Sequence, residues 1–243
     1  MILHIPHSGT DLYDYTFNNT QDQLNKMTDW FTDELYQCKN AQTLIFPFSR
    51  LVCDVERFED DESEIMAEVG MGVCYEKTYD GKLLKEVSRY EKNYILNSLY
   101  RPHHKRLHEM VEEELKTKGE SLIIDCHSFP NEAYYFNKDY GKPRVDICLG
   151  TDPYHTPEKL TFYMQDYFES KGFSVAINHP YEGTIVPLNH YHVENRTFSI
   201  MIEINRRLYL DNKFQKNEYF ESLQACIKEL LDRLSTYRIA DFR

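Results

Sequence analysis

The sequence predicts one three-layer α/β domain around a buried central sheet that is largely parallel or mixed. Two observations carry this. Short apolar runs alternate along the chain with longer amphipathic ones, the pattern of strands interleaved with covering helices. The clearest of the short runs, SLIIDC at 121–126 and SIMIEI at 199–204, are almost continuously apolar, as strands covered on both faces are. No Pro-, Gly- or Ser-rich linker interrupts the 243 residues, so the reading is a single domain over 1–243.

The elements follow in order. Ile2 to Ile5 is a short strand, halted by Pro6 and opened by Ser8-Gly9. A helix is expected between Asn18 and Asn40, where Leu24, Met27, Phe31 and Leu35 recur at spacings of three and four. Thr43 to Phe48 is a second apolar run, and Ser49 to Val55 reads as a strand. The acidic stretch 59–64 reads as a solvated loop. A helix is expected over 82–100, restarted at Pro102 because Pro is tolerated in a first helical turn. Leu107, Met110, Val111 and Leu115 then form one apolar face, and Gly119 supplies the stop. The strand 121–126, a strand at 145–149, a helix at 157–170, a strand at 174–177, the strand 199–204 and a closing helix at 217–234 complete the series.

The bulk chemistry excludes several classes. A formal net charge of -12 argues against nucleic-acid binding, which needs clustered Lys and Arg. It also means that an anionic substrate would need a locally basic site. No apolar run approaches the roughly 20 residues of a membrane span. The N-terminal MILHIPHSGT lacks the basic and long apolar regions of a signal peptide. The six cysteines are scattered with no CxxC pair, as expected of reduced thiols in a cytoplasmic protein.

Four strand ends concentrate ionisable groups: His4-Ile5-Pro6-His7-Ser8-Gly9, Asp54-Val55-Glu56-Arg57, Asp125-Cys126-His127-Ser128 and Glu203-Ile204-Asn205-Arg206. Ligands bind at the carboxyl ends of strands in such folds. Three histidines, several carboxylates and two arginines include the kit of a mononuclear zinc hydrolase, although no HExxH or HxxE stands at the first histidine. On the residues alone, buried hydrogen-bonding pairs remain the competing reading.

The ordered set His-Ser-Gly, Thr-Asp-Trp, Ser-Arg-x-Val-x-Asp-x-x-Arg, Asp-x-His-Ser, Asn-x-Pro-Tyr-x-Gly and Glu-Ile-Asn-Arg-x-Leu-Tyr spans His4 to Leu210. It resembles the N-formylglutamate amidohydrolase family, whose fold is similar to that of zinc carboxypeptidases and aspartoacylase. The resemblance implies an α/β/α sandwich with one zinc ion per chain and a small N-acyl amino acid as substrate. The expected products are formate and glutamate. It implies His7 and His127 as metal ligands. Asp29, in the Thr-Asp-Trp block, is the first choice for a carboxylate ligand and Asp33 the second. Glu203 is implied as the general base, and Arg57 as the anchor of the substrate carboxylate, with Arg206 and Arg50 as further candidates. Asn178 and Tyr181, in the block that ends at Gly183, are candidate substrate contacts. Asp54 and Asp125 are expected to orient neighbouring groups, and Cys126 to turn away from the site. His104 is expected to point inward; His103, His108, His190 and His192 are expected on the surface. The chain departs from the family pattern at Glu56, where Asn is usual. An ionised carboxylate repels a substrate carboxylate, so Glu56 favours a neutral or cationic side chain if it faces the site. A deacylase or carboxypeptidase-like amidase of the same fold, and a non-catalytic small-molecule-binding homologue, remain the alternatives.

Overall fold

β1 (Ile2–Ile5), β2 (Gln42–Ile45), β3 (Ser121–Phe129), β4 (Ile147–Gly150), β5 (Val175–Ile177) and β6 (Thr197–Asn205) form one sheet. In this computed structural model, which describes residues 1–17 and 19–243, the strand order is β2-β1-β3-β6-β4-β5. Every pairing is parallel except β4 against β6, so the sheet is mixed and largely parallel, as expected. All nine residues of β3 and all nine of β6 are buried, which explains their continuous apolar runs.

Helices cover both faces. α4 (Arg101–Lys118) lays Leu107, Met110, Val111 and Leu115 against Ile2 and Ile123. On the other face α5 (Glu158–Ser170) and α6 (Phe220–Leu234) pack Leu160, Met164, Phe168, Ile227 and Leu231 against Ile124, Ile200 and Ile202. The two faces alternate residue by residue, so Cys126 falls in this second core, away from the histidines.

Four local expectations are corrected. Residues 49–55 form buried turns rather than a strand. Their apolar side chains are buried as a strand's would be, but the chain wraps around the Asp54 carboxylate. That group accepts hydrogen bonds from Arg50, the Tyr75 hydroxyl and the Glu56 amide. The helix expected from 82 begins at Arg89, as α3 (Arg89–Ile95), where the Ser88 hydroxyl caps the Glu91 amide. At Pro102 the helix does not restart. It runs on through a π turn at Leu96–Tyr100, because Pro has no N–H to donate to the preceding turn. The helix expected within 18–40 splits into α1 (Thr20–Met27) and α2 (Thr32–Leu35), and Asn18 lies outside the described residues. The break between them holds Asp29. No described helix is long and apolar enough to cross a membrane.

Candidate active site

The carboxyl ends of β1, β3 and β6 lie side by side. The loop after β1 carries His7, β3 carries His127, and Glu203 stands directly across from His127 on β6. Gly9 lets the β1 loop close on the chain after β2; a Cβ there would stand 2.4 Å from the Pro47 carbonyl carbon. The Asp29 amide donates to the His7 carbonyl, which brings the α1–α2 break to the same point.

Three donor atoms converge there. His7 Nδ1 and His127 Nδ1 are 3.2 Å apart, and Asp29 Oδ2 is 3.7 Å from the first and 3.4 Å from the second. All three residues are buried. The far nitrogen of each ring is tied to a carboxylate: His7 Nε2 to Asp54 Oδ1 at 2.8 Å, and His127 Nε2 to Asp125 Oδ1 at 3.0 Å. A ring whose Nε2 holds the donating proton leaves a lone pair on Nδ1. Two such lone pairs and a carboxylate oxygen then face one another, an arrangement that a cation stabilises. Ligand atoms around tetrahedral zinc stand about 3.3 Å apart, close to the separations here. The residues therefore fit a metal ion, with Asp54 and Asp125 orienting the rings from behind. Asp33 is exposed and takes no part in this group.

The carboxylate is itself held. Arg206 donates to Asp29 Oδ1 at 2.6 Å and to the Lys26 and Ser128 carbonyls, while the Ser128 amide donates to Asp29 Oδ2. Burial opposes ionisation of Asp29, but His127, His7 and Arg206 outweigh it and hold the carboxyl well below the usual range. Burial likewise opposes the charged form of His127, yet the Asp125 carboxylate raises its pKa well above the ordinary value.

A cavity of about 640 Å³ opens over this group. Glu203 faces it with Oε2 unpartnered among the described residues. Burial raises the Glu203 pKa to about 7, even though the His127, Arg206 and Arg50 charges pull it down. Arg57 also lines the cavity; its Nε has no hydrogen-bond partner among the described residues and stands 3.6 Å from Asp54 Oδ2. Arg50, by contrast, is committed to Asp54 and Tyr75. Tyr181 lines the cavity and its hydroxyl accepts from Arg144 at 3.3 Å. Asn178 does not line it. Its side chain closes on Thr151, accepting from the amide and donating to the hydroxyl.

Glu56 does face the cavity. Its Oε1 lies 3.1 Å from His4 Nδ1, but the single hydrogen on that nitrogen is directed at Asp125, so Oε1 is left without a partner among the described residues. His4 belongs to the first of the four strand-end segments. It sits under the site between Asp125 and His103, whose Nε2 it meets at 2.8 Å. Burial disfavours a charge on His4, but the bond to Asp125 and the nearby Glu56 carboxylate raise its pKa to about 9. Burial and the His4 charge push His103 down to about 2, so a neutral His103 accepts from a charged His4. His103 is thus buried rather than exposed, and so is His190; His104, half-buried, bonds the Val55 carbonyl. No spacing in the sequence signals these contacts, which join residues 49 to 121 positions apart.

Similarity to known proteins extends over most of the chain. The family model for N-formylglutamate amidohydrolase matches residues 1–210. An N-formylglutamate deformylase of Pseudomonas putida is 22% identical over 252 residues, covering 96% of this chain and 91% of that protein. The crystal structure of an N-formylglutamate amidohydrolase from Ralstonia eutropha JMP134 superposes with a TM-score of 0.87 at 25% identity, covering 99% of this chain and 94% of that one. A gene product of Agrobacterium tumefaciens shares the fold, with a TM-score of 0.69 at 20% identity over 99% of this chain and 90% of that one. With its model matched over most of the length, the chain belongs to the N-formylglutamate amidohydrolase family.

Proposed function

We propose that the protein is a zinc-dependent amidohydrolase that removes the formyl group from an N-formyl amino acid. For N-formyl-L-glutamate the products would be formate and glutamate. The observation that carries this reading is the convergence of His7 Nδ1, His127 Nδ1 and Asp29 Oδ2, each backed by its own partner. Zinc held by these three would polarise the formyl carbonyl and bring the pKa of water toward about 7.

The remaining work falls to the protein. Glu203 has an unpartnered oxygen and a pKa near that of its task, which suits a group that takes a proton and returns it. It removes one proton from the attacking water as the new C–O bond forms. It then delivers that proton to the amide nitrogen as the C–N bond breaks. Arg57 receives the α-carboxylate on its planar fork. Tyr181 accepts from Arg144 and so keeps its own proton free for the carbonyl oxygen.

Glu56 favours a second reading of the substrate. Its carboxylate borders the cavity, disfavours the γ-carboxylate of glutamate and suits a neutral or cationic side chain. Rates on N-formyl derivatives of glutamate, leucine and lysine separate the two. For the chemistry itself, metal content by plasma mass spectrometry and deformylation are measured on wild type and on His7→Ala/His127→Ala. About one zinc per chain, lost with activity in the variant, is expected at this site. Full activity in metal-stripped protein or in Glu203→Ala overturns the reading.

A further inference from the structure

A second group of donors lies outside the cavity. His108 and Glu112 are one helical turn apart on α4, and a loop residue, His190, meets them both. His190 Nε2 is 3.0 Å from Glu112 Oε1 and 3.2 Å from His108 Nδ1. We propose that His108, Glu112 and His190 form a separate site for a divalent transition ion such as zinc, which fastens the loop bordering the cavity onto α4.

The donor set and its spacing support this. Two imidazole nitrogens and a carboxylate suit zinc and its first-row neighbours, and the two measured separations approach the roughly 3.3 Å between ligands of a tetrahedral ion. His190 is 5% exposed, so its ring is held in place rather than sampling solvent. In the group as it stands, one proton on His190 Nε2 cannot serve both neighbours; a cation would bond all three. Glu112 is half-exposed, which leaves a further position open to water. The neighbouring Glu194 is occupied by Arg196 and does not compete. The consequence follows from the loop itself. Leu188 and Tyr191, on either side of His190, line the cavity, so an ion at His190 ties that wall of the cavity to a rigid helix.

The test does not depend on the proposed catalytic zinc. Full-length protein is stripped, dialysed against Zn²⁺ and its bound zinc counted, for wild type, His108→Ala, Glu112→Gln and His7→Ala/His127→Ala. His108 and Glu112 lie on the outer side of α4, and circular dichroism checks that each variant folds. Either helix substitution is expected to remove one equivalent from whatever wild type holds, while His7→Ala/His127→Ala retains one. If the cavity binds no zinc, wild type holds a single equivalent, and its loss in His108→Ala still assigns it here. Zn²⁺ is also expected to slow proteolysis within 187–194 in wild type and not in Glu112→Gln. Zinc content unchanged by both helix substitutions overturns the proposal.

Discussion

Two groups of two histidines and a carboxylate lie among the described residues, and they are supported in opposite ways. His7, Asp29 and His127 are buried, and each is fixed by a second charged residue: Asp54, Arg206 and Asp125. In the group formed by His108, Glu112 and His190, only His190 is buried, and no described carboxylate stands behind either ring. Similar donors at similar spacing therefore differ in preorganisation. The first group costs little to assemble around an ion because its rings cannot turn away. The second relies on a loop for one of its three members.

The largest effect is expected from removing the proposed base while leaving the donors intact. Glu203→Gln keeps the shape of the side chain and every contact among His7, Asp29 and His127. Its kcat is expected to fall on the order of 10²–10⁴-fold, with metal content unchanged. Equal activity in the variant would show that Glu203 moves no proton. The next test removes backing. Asp54→Asn should weaken metal affinity about 10–100-fold, measured by competition with a chelator, because the His7 ring loses the carboxylate charge that fixes its tautomer. An unchanged affinity would mean that burial alone orients the ring. Arg57→Ala should raise KM about tenfold or more, through loss of a charge-assisted contact worth about 1.5–3 kcal/mol, and should leave kcat nearly constant. A fall in kcat with KM unchanged would place Arg57 elsewhere in the reaction.

What could be read from the sequence divides along the same line. The alternation of apolar runs was enough for the layered fold, because burying β3 and β6 on both faces requires it. His7, His127 and Glu203 stood out because ionisable residues end otherwise apolar strands, and the family motifs added Asp29. Their support was less legible. Asp54 and Asp125 were suspected from their position. His4 on His103, and Arg206 on Asp29, depend on pairings 99 and 177 residues apart that no local pattern carries. The same limit accounts for the differences. His103 and His190 carry no local signal of their burial, and residues 49–55 have the β-branched and apolar composition of a strand. Turns that wrap a buried carboxylate have the composition of a strand, and only the hydrogen bonds to Asp54 tell them apart.

The smallest effects concern the segment after β5, where the distinction between facing the cavity and supporting the fold separates two residues three positions apart. Tyr181 borders the cavity with a hydroxyl proton to give; Tyr181→Phe removes one neutral hydrogen bond and should lower kcat/KM by up to about tenfold. Asn178 has a left-handed backbone, φ 54°, and spends its amide on Thr151. Asn178→Ala should therefore cost about 1–2 kcal/mol of stability in a denaturant titration, from the lost bonds and the left-handed strain, while kcat/KM stays within about twofold. If Asn178→Ala instead lowers kcat/KM as much as Tyr181→Phe with no loss of stability, the amide must leave Thr151 and turn toward the substrate during turnover. The segment after β5 would then move in the catalytic cycle, and the arrangement of its side chains seen here would be that of the free enzyme.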